Sequence, residues 1–295
     1  MRKRNFLITL AVLVVLAAAI GGAVAWYWNK TKNLNTVTFE CDGGKWITAT
    51  FDLANDAAVR LVLSDGRKLS VPHAISADGA RYATADEKFV FWTRGNSAFI
   101  QEGGPITFAN CALYETYRND TYGFELKYPK DLVPEAPFKT FYHLLGEWRA
   151  FASEGDAGVP VIAIPIFRVD QGGVATGKYY PLYYSAELRV GVATSSQAVA
   201  DCLKLDAGYT EEPHHTVTLN GVAFEEFDFQ NAGMMQYVEG KSYRAVHDGA
   251  CFAIEQLRAG SSYRDDTMTS GIPQDQLDAS FAAAGDIAKT FRFTR

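Results

Sequence analysis

The sequence predicts a mainly β protein in two parts, a small antiparallel barrel followed by an α+β domain, both placed after an N-terminal membrane helix. Three observations predict it. Short alternating runs bounded by Asp-Gly and Asn-Gly steps recur along most of the 295 residues, which is the pattern of antiparallel strands joined by tight hairpins. An uncharged apolar run over 6–28 follows Arg2, Lys3 and Arg4. A second helical pattern falls near the far end of the chain, at 274–289. With 48% hydrophobic and 13% aromatic residues there is apolar material for two cores.

The segment 1–28 decides the compartment. At about 1.5 Å per residue its apolar run is long enough to span a bilayer. The cations before it stay inside, so the remainder faces outward. The run exceeds a usual signal-peptide core, and Trp26-Tyr27-Trp28 has the composition of an interfacial aromatic belt. The reading is a single-pass anchor in the cell membrane with the C-terminal part extracytoplasmic. Ala23-Val24-Ala25 is a small-x-small cleavage site, and cleavage after Ala25 makes the protein secreted instead.

The formal charge is -6. Leaving Arg2, Lys3 and Arg4 out of the 28 cations, against 34 acids, gives about -9 for the exported part. Nucleic acid and anionic membrane surfaces need clustered cations, so neither is an expected partner of that part. A basic protein suits it better. Four cysteines in an oxidising compartment are read as two disulfides. Spacing and domain boundaries favour Cys41 with Cys111 and Cys202 with Cys251, and no Cys-x-x-Cys pair supports a metal site. No cofactor is expected.

After a polar linker at 29–35, the first domain covers 36–113. Strands are expected at 37–41, 46–53 and 59–63. Ser64-Asp65-Gly66-Arg67 is a type I′ hairpin signal, with a return strand at 68–71 ended by Pro72. Ser76-Ala77-Asp78-Gly79 makes a tight polar loop, because Gly takes φ > 0 at no steric cost and Asp bonds its own backbone. Phe89, Phe91, Ser97 and Phe99 alternate around Arg94-Gly95-Asn96, a hairpin whose turn carries a cation. Loop and charged turn then stand side by side on a small closed or nearly closed sheet.

These residues carry a resemblance. Phe39-Glu40-Cys41-Asp42-Gly43-Gly44-Lys45, Val59-Arg60-Leu61-Val62-Leu63-Ser64-Asp65-Gly66-Arg67 and Leu69-Ser70-Val71-Pro72 come first in order. Asp78-Gly79-Ala80-Arg81-Tyr82, Phe91-Trp92-Thr93-Arg94-Gly95 and Cys111 follow. Together the stretch 37–111 resembles the membrane-bound lysozyme inhibitor of C-type lysozyme (MliC) family. The resemblance implies an eight-stranded barrel-like domain that pushes a Ser-Gly-x-x-Tyr loop into the lysozyme cleft, while a Lys from a Lys-Gly turn reaches the catalytic carboxylates. It implies Ser76, Asp78, Gly79, Tyr82 and Arg94 as binding residues. Asp78 stands where the family has Ser, and Arg94 where it has Lys. An ionised Asp cannot donate a hydrogen bond to a cleft carboxyl as a hydroxyl can, and it sets like charges together. Arg94 offsets this with its fork of donors.

The second domain covers 114–295. Its opening, Tyr117-Arg118-Asn119-Asp120-Thr121-Tyr122-Gly123-Phe124-Glu125-Leu126-Lys127-Tyr128-Pro129, and its close, Thr290-Phe291-Arg292-Phe293-Thr294 after a helix, resemble PsbP-like domains. That resemblance implies an antiparallel sheet with packed helices. Between these ends, 159–169 reads as an edge or bulged strand because of Pro160 and Pro165. A strand follows at 184–193, then a short helix capped by Ser195 or Ser196 and running to about Leu203. Asn220-Gly221 and His247-Asp248-Gly249 close two further hairpins. The helix at 274–289 places Leu277, Phe281 and Ile287 on one side. Phe224, Phe227, Phe229, Tyr237 and Tyr243 read as packing residues.

No nucleophile elbow, phosphate loop or dinucleotide fingerprint occurs. His214 and His215 with Glu211 and Glu212 read as a solvated loop beside Pro213. His143 and Glu147, four apart, lack a third ligand for a zinc motif. The sequence is therefore read as a binding protein and not an enzyme, with a C-type lysozyme as partner and the membrane held through the N-terminal helix. The alternative is a cell-envelope binding or scaffold module whose inhibitor-like domain recognises another ligand.

Overall fold

The computed structural model describes residues 33–138, 158–169, 184–204, 215–233, 236–261 and 273–295. The expected anchor or signal segment at 1–28 lies outside the described residues, as do His143, Glu147, Glu211, Glu212 and His214. Among the described residues no helix is long and apolar enough to cross a membrane. Two compact units divide after Tyr114.

The first unit is a run of antiparallel strands, each paired to the next: β1 Leu34–Glu40, β2 Trp46–Asp52, β3 Ala58–Leu63, β4 Lys68–Ala74, β5 Ala80–Ala83, β6 Phe89–Arg94, β7 Ser97–Glu102 and β8 Ile106–Asn119. The end of β8 carries the chain into the second unit. Strand β8 also returns to β1 through Phe39↔Leu113 and Glu40↔Ala112, and this closes the sheet into a barrel. Closure covers the edge of β1 at those two pairs. Alternation turns Ile47 and Ala49 from β2, and Val59, Leu61 and Leu63 from β3, into an interior shared with Phe39, Phe91 and Ile100. All are essentially removed from water, at about 2 kcal/mol for each large apolar side chain. Cys41 and Cys111 are bonded beside the closing pairs.

Two local expectations are corrected. The turn after β3 is not type I′, since only Gly66 has positive φ, at 89°. The Gly66 N–H donates to the Leu63 carbonyl at 2.9 Å and the Leu63 N–H to the Arg67 carbonyl at 3.0 Å, a three-residue loop ending in a glycine bulge. The Asp65 carboxylate accepts from the Arg67 N–H at 3.1 Å and from Arg67 Nε at 2.8 Å, and so holds Asp65 in ordinary turn geometry. Pro72 does not end its strand, because β4 continues to Ala74. The His73 N–H donates toward β3, to the Ala57 carbonyl. Ladder alternation therefore points the Pro72 nitrogen toward β5, whose pairing begins only at His73↔Tyr82, and no hydrogen bond is lost.

The second unit contains a six-stranded antiparallel sheet. Its strands are β10 Val159–Val169, β11 Tyr184–Ala193, β12 His215–Leu219, β13 Val222–Gly233, β14 Gln236–His247 and β15 Ala250–Ser261, in the order β10-β11-β15-β14-β13-β12. Strand β10 lies at the edge, with register shifts beside Pro160 and Pro165, as a residue without an N–H requires. Asn220 and Gly221, and Asp248 and Gly249, all have positive φ, so both turns are type I′. A shorter pair joins β9 Phe124–Pro129 to β16 Arg292–Phe293. Helix α1, Ser196–Asp201, is capped by Ser195, whose Oγ accepts from the Ala198 N–H at 3.1 Å. Cys202 at its end is bonded to Cys251 of β15. Helix α2, Gln274–Ala288, buries Leu277 and Ile287, whereas Phe281 remains half-exposed. Phe224, Phe227, Phe229, Tyr237 and Tyr243 are all buried.

Candidate functional site

Strand pairing Ala80↔Thr93 places the start of β5 beside the end of β6. The loop 75–79 and the β6–β7 turn therefore emerge at the same end of the barrel. The loop is held from within and from its neighbour. Ser76 Oγ donates to the Asp78 carbonyl at 2.6 Å and lies 3.3 Å from the Asp78 N–H, which it accepts. Trp92 Nε1–H donates to the same carbonyl at 3.0 Å, and the indole packs on Phe99 with ring centres 5.3 Å apart. Gly79 has φ +69° and sits directly on the backbone of Thr93.

The facing turn is equally well held. Thr93 Oγ1 donates to the Ser97 carbonyl at 2.9 Å, and Ser97 Oγ to the Arg94 carbonyl at 2.9 Å. The Leu113 N–H donates to the Asn96 carbonyl at 2.8 Å, tying the turn to β8 at the barrel seam. From these two pinned backbones the charged side chains meet in solvent. Arg94 Nε lies 3.0 Å from Asp78 Oδ2, with the side chains 65% and 59% exposed. An exposed pair of this kind contributes at most about 1 kcal/mol to folding. Its geometry serves presentation more than stability.

Tyr82 is placed differently from the other residues of the motif. Its ring is 2% exposed, inside the barrel core, and its hydroxyl donates to Asp56 Oδ1 at 2.6 Å. Burial, and then the hydrogen bond to Asp56, push its phenol well above the ordinary tyrosine value. Tyr82 supports the loop from beneath and offers no ring surface to a partner. Ile75 is the residue that sequence reasoning missed. It is 97% exposed at the root of the loop. The alternation Leu69, Val71, His73 would turn it inward, but β4 ends at Ala74 and the chain swings it out.

Outside this site, the second unit has an open cavity of about 350 Å³ lined by Asp228, Glu239, Lys241, Arg258 and Phe281 among others. Its cations are engaged, Arg258 by Glu239 and Asp278 and Lys241 by Glu226 and Asp228. His215 stands exposed at the start of β12, 3.7 Å from Glu226. Among the described residues no group of three or more His, Cys, Asp or Glu converges as a metal site.

Residues 39–107 match the model of the family described as membrane-bound lysozyme-inhibitor of c-type lysozyme, and 75–97 lie inside that segment. A membrane-bound lysozyme inhibitor of C-type lysozyme from Yersinia enterocolitica is 36% identical over 81 residues, 28% of this chain and 65% of the relative. The chain thus spans just under two thirds of that relative's length. A protein of the same description from Cupriavidus necator is 25% identical over 118 residues, 36% of this chain and 93% of the relative. Among solved structures, LpqN, involved in cell envelope biogenesis of Mycobacterium tuberculosis, covers 62% of this chain and 91% of its own. At 14% identity and a TM-score of 0.32 that likeness is too distant to bear on fold or function. The first unit resembles the lysozyme-inhibitor family, and the family match does not reach the second unit.

Proposed function

We propose that the first unit inhibits a C-type lysozyme by cleft plugging. The tip of the 76–82 loop enters the substrate groove, with Tyr82 supporting it from the barrel core, and Arg94 addresses the catalytic carboxyls. One observation carries the reading: Asp78 and Arg94 stand paired and exposed at one end of a cross-linked barrel, inside the segment that matches the family. Rigid presentation reduces the ordering that binding must impose, which favours affinity. A guanidinium is suited to carboxylates because its N–H groups form a planar fork. The acidic exported part, anchored to the membrane and facing outward, attracts a basic enzyme over long range and speeds encounter.

The test is lysis of bacterial cell walls by a C-type lysozyme in the presence of the purified full chain. Inhibition is expected to rise with concentration, to weaken on Arg94→Ala, and to set in more slowly as salt rises. Unchanged lysis at high inhibitor concentration would remove the proposal.

A second reading is favoured by the carboxylate at Asp78, where the family has a hydroxyl. The chain would then be a cell-envelope binding or scaffold module whose barrel serves another ligand. Asp78→Ser separates the two. If the native chain does not bind lysozyme and the variant binds tightly, inhibition is not the native role.

A further inference from the structure

The Asp78–Arg94 pair is half-used as it stands. Arg94 Nε meets Asp78 Oδ2 at 3.0 Å. Among the described residues no further ion pair or hydrogen bond engages either charged group, and both side chains are more than half exposed. The site offers a strong acceptor and a strong donor side by side, on backbones fixed by Trp92 and by the Gly79–Thr93 contact.

What such a pair fits follows from its chemistry. Two ionised carboxylates would meet Arg94 well and Asp78 badly, because like charges approach in a partly desolvated cleft. Two neutral acids would give the guanidinium no anion beyond Asp78 itself. The complement of an acceptor beside a cation is one protonated carboxyl, which donates, beside one ionised carboxylate, which accepts. Retaining glycosidases hold that arrangement, with a general acid and a carboxylate about 5 Å apart. In lysozyme itself, burial raises the acid to a pKa of about 6 while its neighbour stays ionised.

Resting on the cleft-plugging reading, we infer that the plug selects the lysozyme cleft in its singly protonated state, with Asp78 accepting the proton of the general acid and Arg94 pairing with the ionised carboxylate. Asp78 is thereby a specificity-determining residue. The sign follows from linkage. Accepting that proton raises the pKa of the acid in the complex above its free value. Affinity is complete below the free pKa and is lost as pH rises through the value in the complex. A serine in the same place, able to donate or accept, carries no such dependence.

The charged and titratable groups around the pair are few. Ser76, on the loop itself, and Trp92, on β6, are neutral and face the Asp78 backbone. Arg94, at the end of β6, is the facing charge. His73 on β4 is the nearby imidazole, but its ring lies against Tyr82 and its Nδ1 is 3.7 Å from Asp56. It serves as the control.

The experiment is calorimetric binding of the full chain to a purified C-type lysozyme at about pH 5 and about pH 7.5, which bracket the acid. Affinity is expected to fall about tenfold or more across that interval in the native chain and in His73→Gln, since the proton is lost from the acid over more than one pH unit. In Asp78→Ser it should change less than about twofold, because a hydroxyl serves either protonation state. Binding that stays level, or strengthens, as pH rises overturns the inference and leaves the inhibitor reading standing. A dependence that persists in Asp78→Ser overturns it also. Absence of binding at both values in the native chain and in Asp78→Ser removes the inhibitor reading and this inference together.

Discussion

The α-carbon of Gly79 rests on the carbonyl of Thr93, so closely that a β-carbon there would stand 2.5 Å from the oxygen and 3.2 Å from Arg94 Cβ. The contact joins the loop that carries Asp78 to the strand that ends in Arg94. Gly79→Ala must push the two apart and also hold an L side chain at positive φ. A loss of about 2 kcal/mol from the unfolding free energy is expected from strain in the left-handed region and the clash. Lysozyme binding should weaken at least as much. Chemical denaturation and titration of the same variant measure both. A variant as stable and as inhibitory as the native chain would mean that this contact fixes nothing.

Ile75 invites the opposite result. Because it is 97% exposed, Ile75→Asp removes no buried area and should shift stability by less than about 0.5 kcal/mol. On the cleft-plugging proposal, an apolar side chain held out beside the Asp78 loop is placed to enter the lysozyme groove, and one buried interface anchor is worth about 2 kcal/mol. Binding to lysozyme should therefore weaken about tenfold or more, since each tenfold is about 1.4 kcal/mol. Unaltered affinity would take Ile75 out of the interface.

Much of this was legible in local chemistry. Asn220-Gly221 was legible as a type I′ turn and Asp248-Gly249 as a hairpin, whereas the similar pair Asp65-Gly66 takes a glycine bulge because only its Gly adopts positive φ. The cysteine pairing followed from two domains with two cysteines each. The nearness of Asp78 and Arg94 followed from reading a loop and a hairpin turn onto one small sheet. What was not legible depended on where a strand stops and on what covers its second face. Ile75 continues the inward alternation of β4 on paper and leaves it in space. Ser185, Glu187 and Arg189 alternate with Ala186, Leu188 and Val190, the pattern of a strand wet on one face. Yet every residue of β11 is buried. Arg189 lies between Glu187 and Glu255 at 3.6 and 3.5 Å, a compensation across strands that alternation cannot reveal.

The seam of the barrel and the β6–β7 turn that carries Arg94 share Leu113, which pairs with Phe39 and donates to the Asn96 carbonyl. Only two residue pairs close β1 onto β8, and the bond between Cys41 and Cys111 stands beside them. Its loop closure, with a sequence separation of 70, is worth about 4 kcal/mol on the chain-entropy account. Replacing both cysteines by Ser should lower the stability of the barrel by that order and weaken lysozyme binding through the loosened turn. The second disulfide, replaced in the same way, should leave binding unchanged. Equal loss of binding from both pairs would break the link between seam and site.

Alkaline pH should destabilise both units for one reason. In the first, burial and the Asp56 hydrogen bond hold the Tyr82 phenol well above its ordinary value. In the second, burial first and then Glu226 push Tyr243 up to about 12. An unfolded tyrosine ionises near pH ~10. Because the folded values are raised, the stability these groups contribute is complete below ~10 and is lost as pH rises toward the folded values. Melting temperature should hold level to about pH 9 and then decline, because above that the unfolded chain releases protons that the folded one keeps. Substituting Phe at both positions removes the groups that titrate. The double variant should start less stable at neutral pH, by about 1 kcal/mol per lost hydrogen bond. It should then lose less than the native chain between about pH 9 and about pH 11.5, the span in which the unfolded phenols ionise. A decline as steep as that of the native chain would place the alkaline sensitivity elsewhere, in groups other than these two phenols.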